Sequence, residues 1–163
     1  MEFKSFQKIP RVSNNNLIIT EKIDGTNALI AINEDGDFFT GSRNRWITPD
    51  DDNYGFSRWA HENKEELLKL GPGYHYGEWY GLGIQRGYGL NEKRFMLFNC
   101  TRWGEHNTPE CCEVATMLEG SIEEVKAFLL VNGSAHVEGW DRPEGFVIYQ
   151  TATKSLMKYI IDK

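Results

Sequence analysis

Lys22 ends an apolar, β-prone run and is followed at once by Ile23, Asp24 and Gly25, an acid and a glycine where the strand breaks. Side chains at a strand end project into clefts, and a lysine there becomes an amine nucleophile if neighbouring cations disfavour its ammonium form. Arg43 and Arg45, with Lys154 and Lys158 near the C-terminus, could supply those cations. Alone, Lys-x-Asp-Gly reads first as a surface lysine before a turn. Two carboxylates add weight to the chemical reading. Glu78 lies inside the aromatic run Gly77-Glu78-Trp79-Tyr80, where an acid is rarely left without a partner, and Glu144 follows Pro143 just before an apolar strand. Glu144 also fits a plain strand-edge acid. Phe98 alternates with Met96, a pattern that serves a stacking ring or core packing alike. His75, on the run with Glu78, is expected to be structural. Cys100, His106, Cys111 and Cys112 offer soft ligands, yet a vicinal cysteine pair chelates tetrahedral zinc poorly; reduced thiols packed as small hydrophobes are expected.

The elements that must position these groups follow from period and punctuation. Residues 17–23 and 27–33 are β-prone runs around Asp24-Gly25-Thr26, and Glu34-Asp35-Gly36 is a hairpin turn into a third run over 37–42. Together they predict an antiparallel meander, then a loop over 44–54 with Pro49 and three consecutive Asp. Apolar spacing predicts a helix over 56–70, stopped by Gly71-Pro72-Gly73. Strands are expected over 74–80 and 95–100, separated by a glycine-rich loop at 81–89. A second helix should start at Ser121, which has capping-box spacing to Glu124, and stop at Asn132-Gly133. Two last strands, 145–149 and 156–161, complete an α+β fold of mainly antiparallel sheet with flanking helices.

Composition sets the outer bounds. A chain of 163 residues with 40% hydrophobic and 13% aromatic content can bury its own core, so one domain over 1–163 is expected. The net charge of −6 argues against a long basic track, so any nucleic acid must be gripped locally. No run is long enough for a membrane span and the N-terminus lacks a signal-peptide apolar region, which predicts a soluble, cytoplasmic protein.

Taken together, Glu21-Lys22-Ile23-Asp24-Gly25-Thr26-Asn27, Ser42-Arg43-Asn44, Gly77-Glu78-Trp79-Tyr80-Gly81, Phe95-Met96-Leu97-Phe98-Asn99, Pro143-Glu144-Gly145 and Leu156-Met157-Lys158-Tyr159 resemble, in order and spacing, the lysine-adenylating nucleotidyltransferase superfamily. The first string is similar to its RNA ligase branch. The resemblance implies an ATP-grasp-like ligase adenylation core that uses ATP and Mg2+ or Mn2+ and acts on RNA ends or nicked RNA duplex, with DNA or hybrids open. It implies Lys22 as the residue that attacks the α-phosphate and holds AMP, and Lys158 as an α-phosphate contact. Glu144 would engage the divalent metal, Glu78 the ribose, and Phe98 the purine face. Glu21 and Asn27 would contact adenine and the reaction centre, and Arg43 the ribose or a nucleic-acid phosphate. Many relatives carry two lysines one residue apart in the last strand. Here Leu156 and Ile160 flank Lys158, which leaves Lys154 or Lys163 to supply the second contact. With five residues after Lys158, no C-terminal OB or helical domain is expected. The alternatives are a nucleotidyltransferase that forms lysyl-AMP or lysyl-GMP without joining strands, and an idle nucleotide-binding module.

Overall fold

The computed structural model describes residues 1–9 and 16–161. Two sheets divide the strands between them. The first holds β1 (Leu17–Lys22), β8 (Met117–Leu118), β9 (Gly145–Gln150) and β10 (Ser155–Ile160) in the order β10-β9-β1-β8. The second runs β4-β3-β2-β5-β6-β7, from β2 (Thr26–Ile32), β3 (Phe38–Gly41), β4 (Trp46–Ile47), β5 (Gly73–Gly81), β6 (Lys93–Leu97) and β7 (Cys112–Val114). All pairings are antiparallel except β6 with β7. The α+β expectation is borne out.

The meander expectation needs correcting at its first step. β1 and β2 do not pair; β1 lies between β8 and β9, and β2 between β3 and β5. Residues 23–25 are therefore a crossing between sheets, not a hairpin turn. Packing explains the split. Ile19 joins Phe146, Ile148, Val125 and Leu129 in one core, whereas Ala28, Ile30 and Ile32 join Phe56, Trp79 and Phe95 in another.

Each core lies under a helix layer. α3 (Ile122–Asn132) covers the first sheet; it starts with the expected capping box, Ser121 Oγ accepting from Glu124 N at 3.1 Å, and stops at Gly133 with φ of 78°. α1 (Phe56–Glu62) and α2 (Lys64–Leu67) cover the second sheet, followed by a 3-10 turn over Leu68–Leu70. The single helix expected over 56–70 thus breaks at Asn63, whose side chain donates to Trp59 O at 2.8 Å and competes with the backbone ladder. The strand expected over 95–100 ends at Leu97. β4, β7 and β8 have two or three residues each, too few to register a period in sequence.

Candidate active site

The faces of the two sheets that carry no helix meet in a cleft, and Lys22 stands where the chain crosses it. In the first sheet Lys22 pairs with Gly145, and Thr20 with Val147, which in turn opposes Lys158. Directly opposed residues share a face, so Lys22 and Lys158 project to the same side, two strands apart. In the second sheet Asn27 opposes Glu78, and Glu78 opposes Met96.

Lys22 Nζ lies 2.8 Å from Glu144 Oε2, with the two side chains 24% and 15% exposed. That contact revises the expected activation: the ion-pair partner of Lys22 is a carboxylate, not a crowd of cations. Arg45 is paired with Asp51 at 3.0 Å on the surface. Lys154 sits in the β9–β10 turn, beyond Ser155 paired with Gln150, whereas Lys22 is level with Gly145 and Ile160 at the other end of those strands. The structure does not bring Lys154 to the site. Lys163 lies outside the described residues. The position beside Lys158 that faces Lys22 across the sheet is Ile160.

Glu78 organises the opposite wall. Its Oε2 accepts from Gly25 N at 2.9 Å. With the Asn27 amide nitrogen turned toward Glu78, it donates to Oε1 at 3.2 Å, and the Asn27 oxygen accepts from Arg43 Nη2 and Nε at 3.1 and 3.2 Å. Gly25 is required here, because a Cβ would stand 2.3 Å from Trp79 O and 2.7 Å from Tyr80 Cβ. Burial pushes the Glu78 carboxyl up to about 7, against the Gly25 N–H and the Lys22 charge, which favour its ionised form. A folded-state value above the ordinary one stabilises the fold at acid pH, and that contribution is lost as pH rises through about 7. Between about pH 4 and about pH 8, Glu78→Gln should gain on the order of 3 kcal/mol in unfolding free energy relative to the parent. Denaturant titrations at both pH values check this; parallel pH profiles would refute it.

Asp24 is held from the glycine-rich loop. Its backbone N–H donates to Tyr88 Oη at 2.7 Å and its carboxylate pairs with Arg86 Nε at 3.1 Å. Arg86 and Tyr88 escape sequence reasoning. Their only signal is a cation and an aromatic among glycines, one of which, Gly87, has φ of 70°. Phe98 is 42% exposed just past β6, its N–H donating to Tyr76 O at 3.0 Å. It is thus available on the Glu78 face and is not a core residue.

Glu21 points away from the cleft. It is 1% exposed against the segment that follows α3, where Ser134 Oγ, Ala135 N and His136 N donate to it at 2.6, 2.6 and 3.0 Å. His136 continues the chain of contacts: its Nε2 lies 3.0 Å from Glu113 Oε1 on β7, and Tyr80 also donates to that carboxylate. Burial disfavours the Glu113 carboxylate, but the His136 and Tyr80 hydrogen bonds outweigh it and hold the group below the usual range. His75, expected to be structural, is buried with Nε2 2.8 Å from Gly71 O.

Among the described residues no three His, Cys, Asp or Glu side chains converge to hold a metal by themselves. The donors present are nevertheless hard oxygens. One or two carboxylates completed by substrate phosphates and water is the arrangement Mg2+ favours, and Glu144 at the cleft fits it. Also among the described residues, no helix is long and apolar enough to cross a membrane.

The family model described as RNA ligase matches residues 15–160. No curated protein matches the sequence. Among solved structures, Naegleria gruberi RNA ligase with PPi superposes at a TM-score of 0.66 with 20% identity, over 88% of this chain and 49% of that one. A mutant of that ligase with ATP and Mn gives 0.64 at 18% identity over 91% and 51%, and another with AMP and Mn gives 0.62 at 18% over 90% and 50%. The chain spans about half the length of these proteins. At this identity the likeness bears on the fold.

Proposed function

The chain belongs to the RNA ligase family, and from that premise we propose that it is an ATP-dependent polynucleotide ligase, with RNA as substrate, working through a lysyl-AMP intermediate. One observation carries the reading: a lysine and a carboxylate 2.8 Å apart stand in an inter-sheet cleft whose facing wall presents Glu78, Asn27 and Arg43. In the first step the neutral amine of Lys22 attacks the α-phosphorus of ATP. A P–N bond forms, the P–O bond to pyrophosphate breaks, and the amine proton leaves to solvent. AMP then passes to a 5′-phosphate, regenerating Lys22, and a 3′-hydroxyl displaces AMP to close the strand.

The chain's own residues have distinct tasks in this scheme. Glu144 holds the Lys22 ammonium at 2.8 Å, and it is also the residue that would hold a divalent cation. That cation would supply charge neutralisation on the phosphates. Lys158, on the Lys22 face, adds positive charge where the phosphorane oxygens become more negative. Asn27 and Glu78 fix the ribose side, Phe98 offers its ring to the purine, and Arg43 is left for ribose or nucleic-acid phosphate. The preference for RNA rests on the resemblance of residues 21–27.

The test is direct. Incubation with α-labelled ATP and magnesium, then denaturation, should leave an acid-labile protein–AMP adduct, and a gel assay on matched RNA, DNA and hybrid nicks should show sealing with RNA at the 3′-hydroxyl side. No adduct would dismiss the whole reading. An adduct without joining on any nick would leave a nucleotidyltransferase that stops at lysyl-nucleotide.

A further inference from the structure

The cleft face of the second sheet continues past Asn27 and Glu78 into an aromatic trough. Phe39, Trp46, Tyr74, Tyr76 and Phe98 are 46, 55, 66, 58 and 42% exposed. Single exposed aromatics are ordinary, but five on one face are not. The register places them. One row beyond Asn27 and Glu78, Leu29 opposes Gly41 on one side and Tyr76 on the other, and Gly41 opposes Trp46. One row further, Ala31 lies between Phe39 and Tyr74.

The rings thus form two walls. Phe39 and Trp46 contact each other at 5.8 Å between centroids, and Tyr74 and Tyr76 stack at 6.4 Å with 14° between planes. The floor between them is Ala31, Leu29 and Gly41, residues with small or buried side chains. Phe39 and Tyr74 are two strands apart, about 9.5 Å. A flat ring sandwiched between two others needs roughly 7–8 Å, from two carbon contacts of about 3.5–4.0 Å. The spacing of the strands that flank Ala31 therefore leaves room for one planar base.

Charge gives the trough a direction. Arg43 stands at the reaction end beside Asn27, and Lys158 faces that end from the other sheet. The opposite end meets the acidic β2–β3 turn of Glu34, Asp35 and Asp37. Phosphate is therefore favoured near Lys22 and opposed at the far end, which limits the trough to the first one or two nucleotides. A partner protein's apolar surface would gain nothing from this gradient.

We infer that the trough is a stacking site for unpaired bases of the RNA end being joined, with Phe39 and Trp46 on one wall and Tyr74 and Tyr76 on the other. This rests on the ligase reading of the Lys22 cleft. Trough and cleft are nonetheless separable by experiment, because Phe39, Trp46 and Tyr74 lie outside the nucleotide-binding set. Their exposure makes serine substitutions tolerable to the fold.

The experiment compares the parent with Phe39→Ser/Tyr74→Ser and with Trp46→Ser. Binding of a short 5′-phosphorylated single-stranded RNA is followed by anisotropy across a salt series, beside an abasic strand of equal length and labelling with ATP. Base–aromatic stacking is worth about 1–3 kcal/mol per base, so RNA should bind about 5- to 150-fold more weakly to the variants. The salt slope should stay constant, since stacking releases no counterions, and the abasic strand should not distinguish the proteins. Labelling with ATP should be unchanged. Equal RNA affinity in parent and variants overturns the inference. So does ATP labelling that falls in step, which would make the trough part of the nucleotide pocket, or a parent dimer that the substitutions dissociate. A parent that binds RNA but never labels with ATP, with variants that lose RNA binding as described, would sink the ligase reading and leave the trough standing.

Discussion

Replacing Lys22 by alanine is expected to abolish transfer of labelled AMP from ATP to the protein, a loss of at least about three orders of magnitude, because no other group then supplies the P–N bond. The fold should survive. Truncation leaves the Glu144 carboxylate, 15% exposed, without its partner at 2.8 Å, which costs about 1 kcal/mol for a pair within reach of water. Lys22→Arg is the informative companion. A guanidinium keeps the charge beside Glu144 but is no nucleophile at any accessible pH, so this variant should match the parent in stability and the alanine variant in labelling. Labelling of Lys22→Ala at the parental rate would move the nucleophile elsewhere.

Glu21→Ala should give the largest loss of stability, roughly 2–4 kcal/mol, because it takes a buried acceptor from three donors at once, among them the buried Ser134 hydroxyl. Ser134 Oγ, Ala135 N and His136 N all turn to this carboxylate. Glu21→Gln should cost much less, since one oxygen remains an acceptor and the Ser134 hydroxyl can rotate. The resemblance to RNA ligases assigns this position to adenine, and the two roles are separable in one pair of measurements. As a strut, Glu21 should set the unfolding midpoint, and activity should fall through loss of folded protein. As an adenine contact, it should raise the KM for ATP with the unfolding midpoint unmoved.

Local chemistry was the legible part of this chain. The capping box at Ser121 and the stop at Gly133 depend on neighbours within four residues, and both stand as expected. Lys22, Glu78 and Glu144 could be singled out because each breaks a local rule: a charge at a strand end, an acid among aromatics, an acid before a buried strand. Their mutual arrangement was not legible, since 122 positions separate Lys22 from Glu144. The sheet assignment of β1 failed for the same reason. Alternation shows that residues 17–22 have a buried face but not which core receives it, and here α3, a hundred residues away, decides. Lys154 was a candidate in sequence for the second phosphate contact beside Lys158, yet the β9–β10 register carries it to the far end of the sheet. Glu21 was hidden because its partners in 134–136 are two backbone amides and a serine, which leave almost no compositional trace.

The crossing at residues 23–25 has a mechanical corollary. The chain passes between the sheets again at 115–116, and the two crossings are fastened to each other by Glu21 N donating to Thr116 O at 3.0 Å. Both links therefore lie at the Lys22 end, and the Glu21–His136–Glu113 contacts brace the same edge. The molecule is built like a bivalve shell whose ligament runs beside the nucleophile. β10 reaches about 20 Å from that ligament along its six residues, so a small rotation displaces the lip by several times what it displaces the pivot. Any rotation of one sheet against the other about this edge would move the far end of β10 most and the groups about Lys22 least.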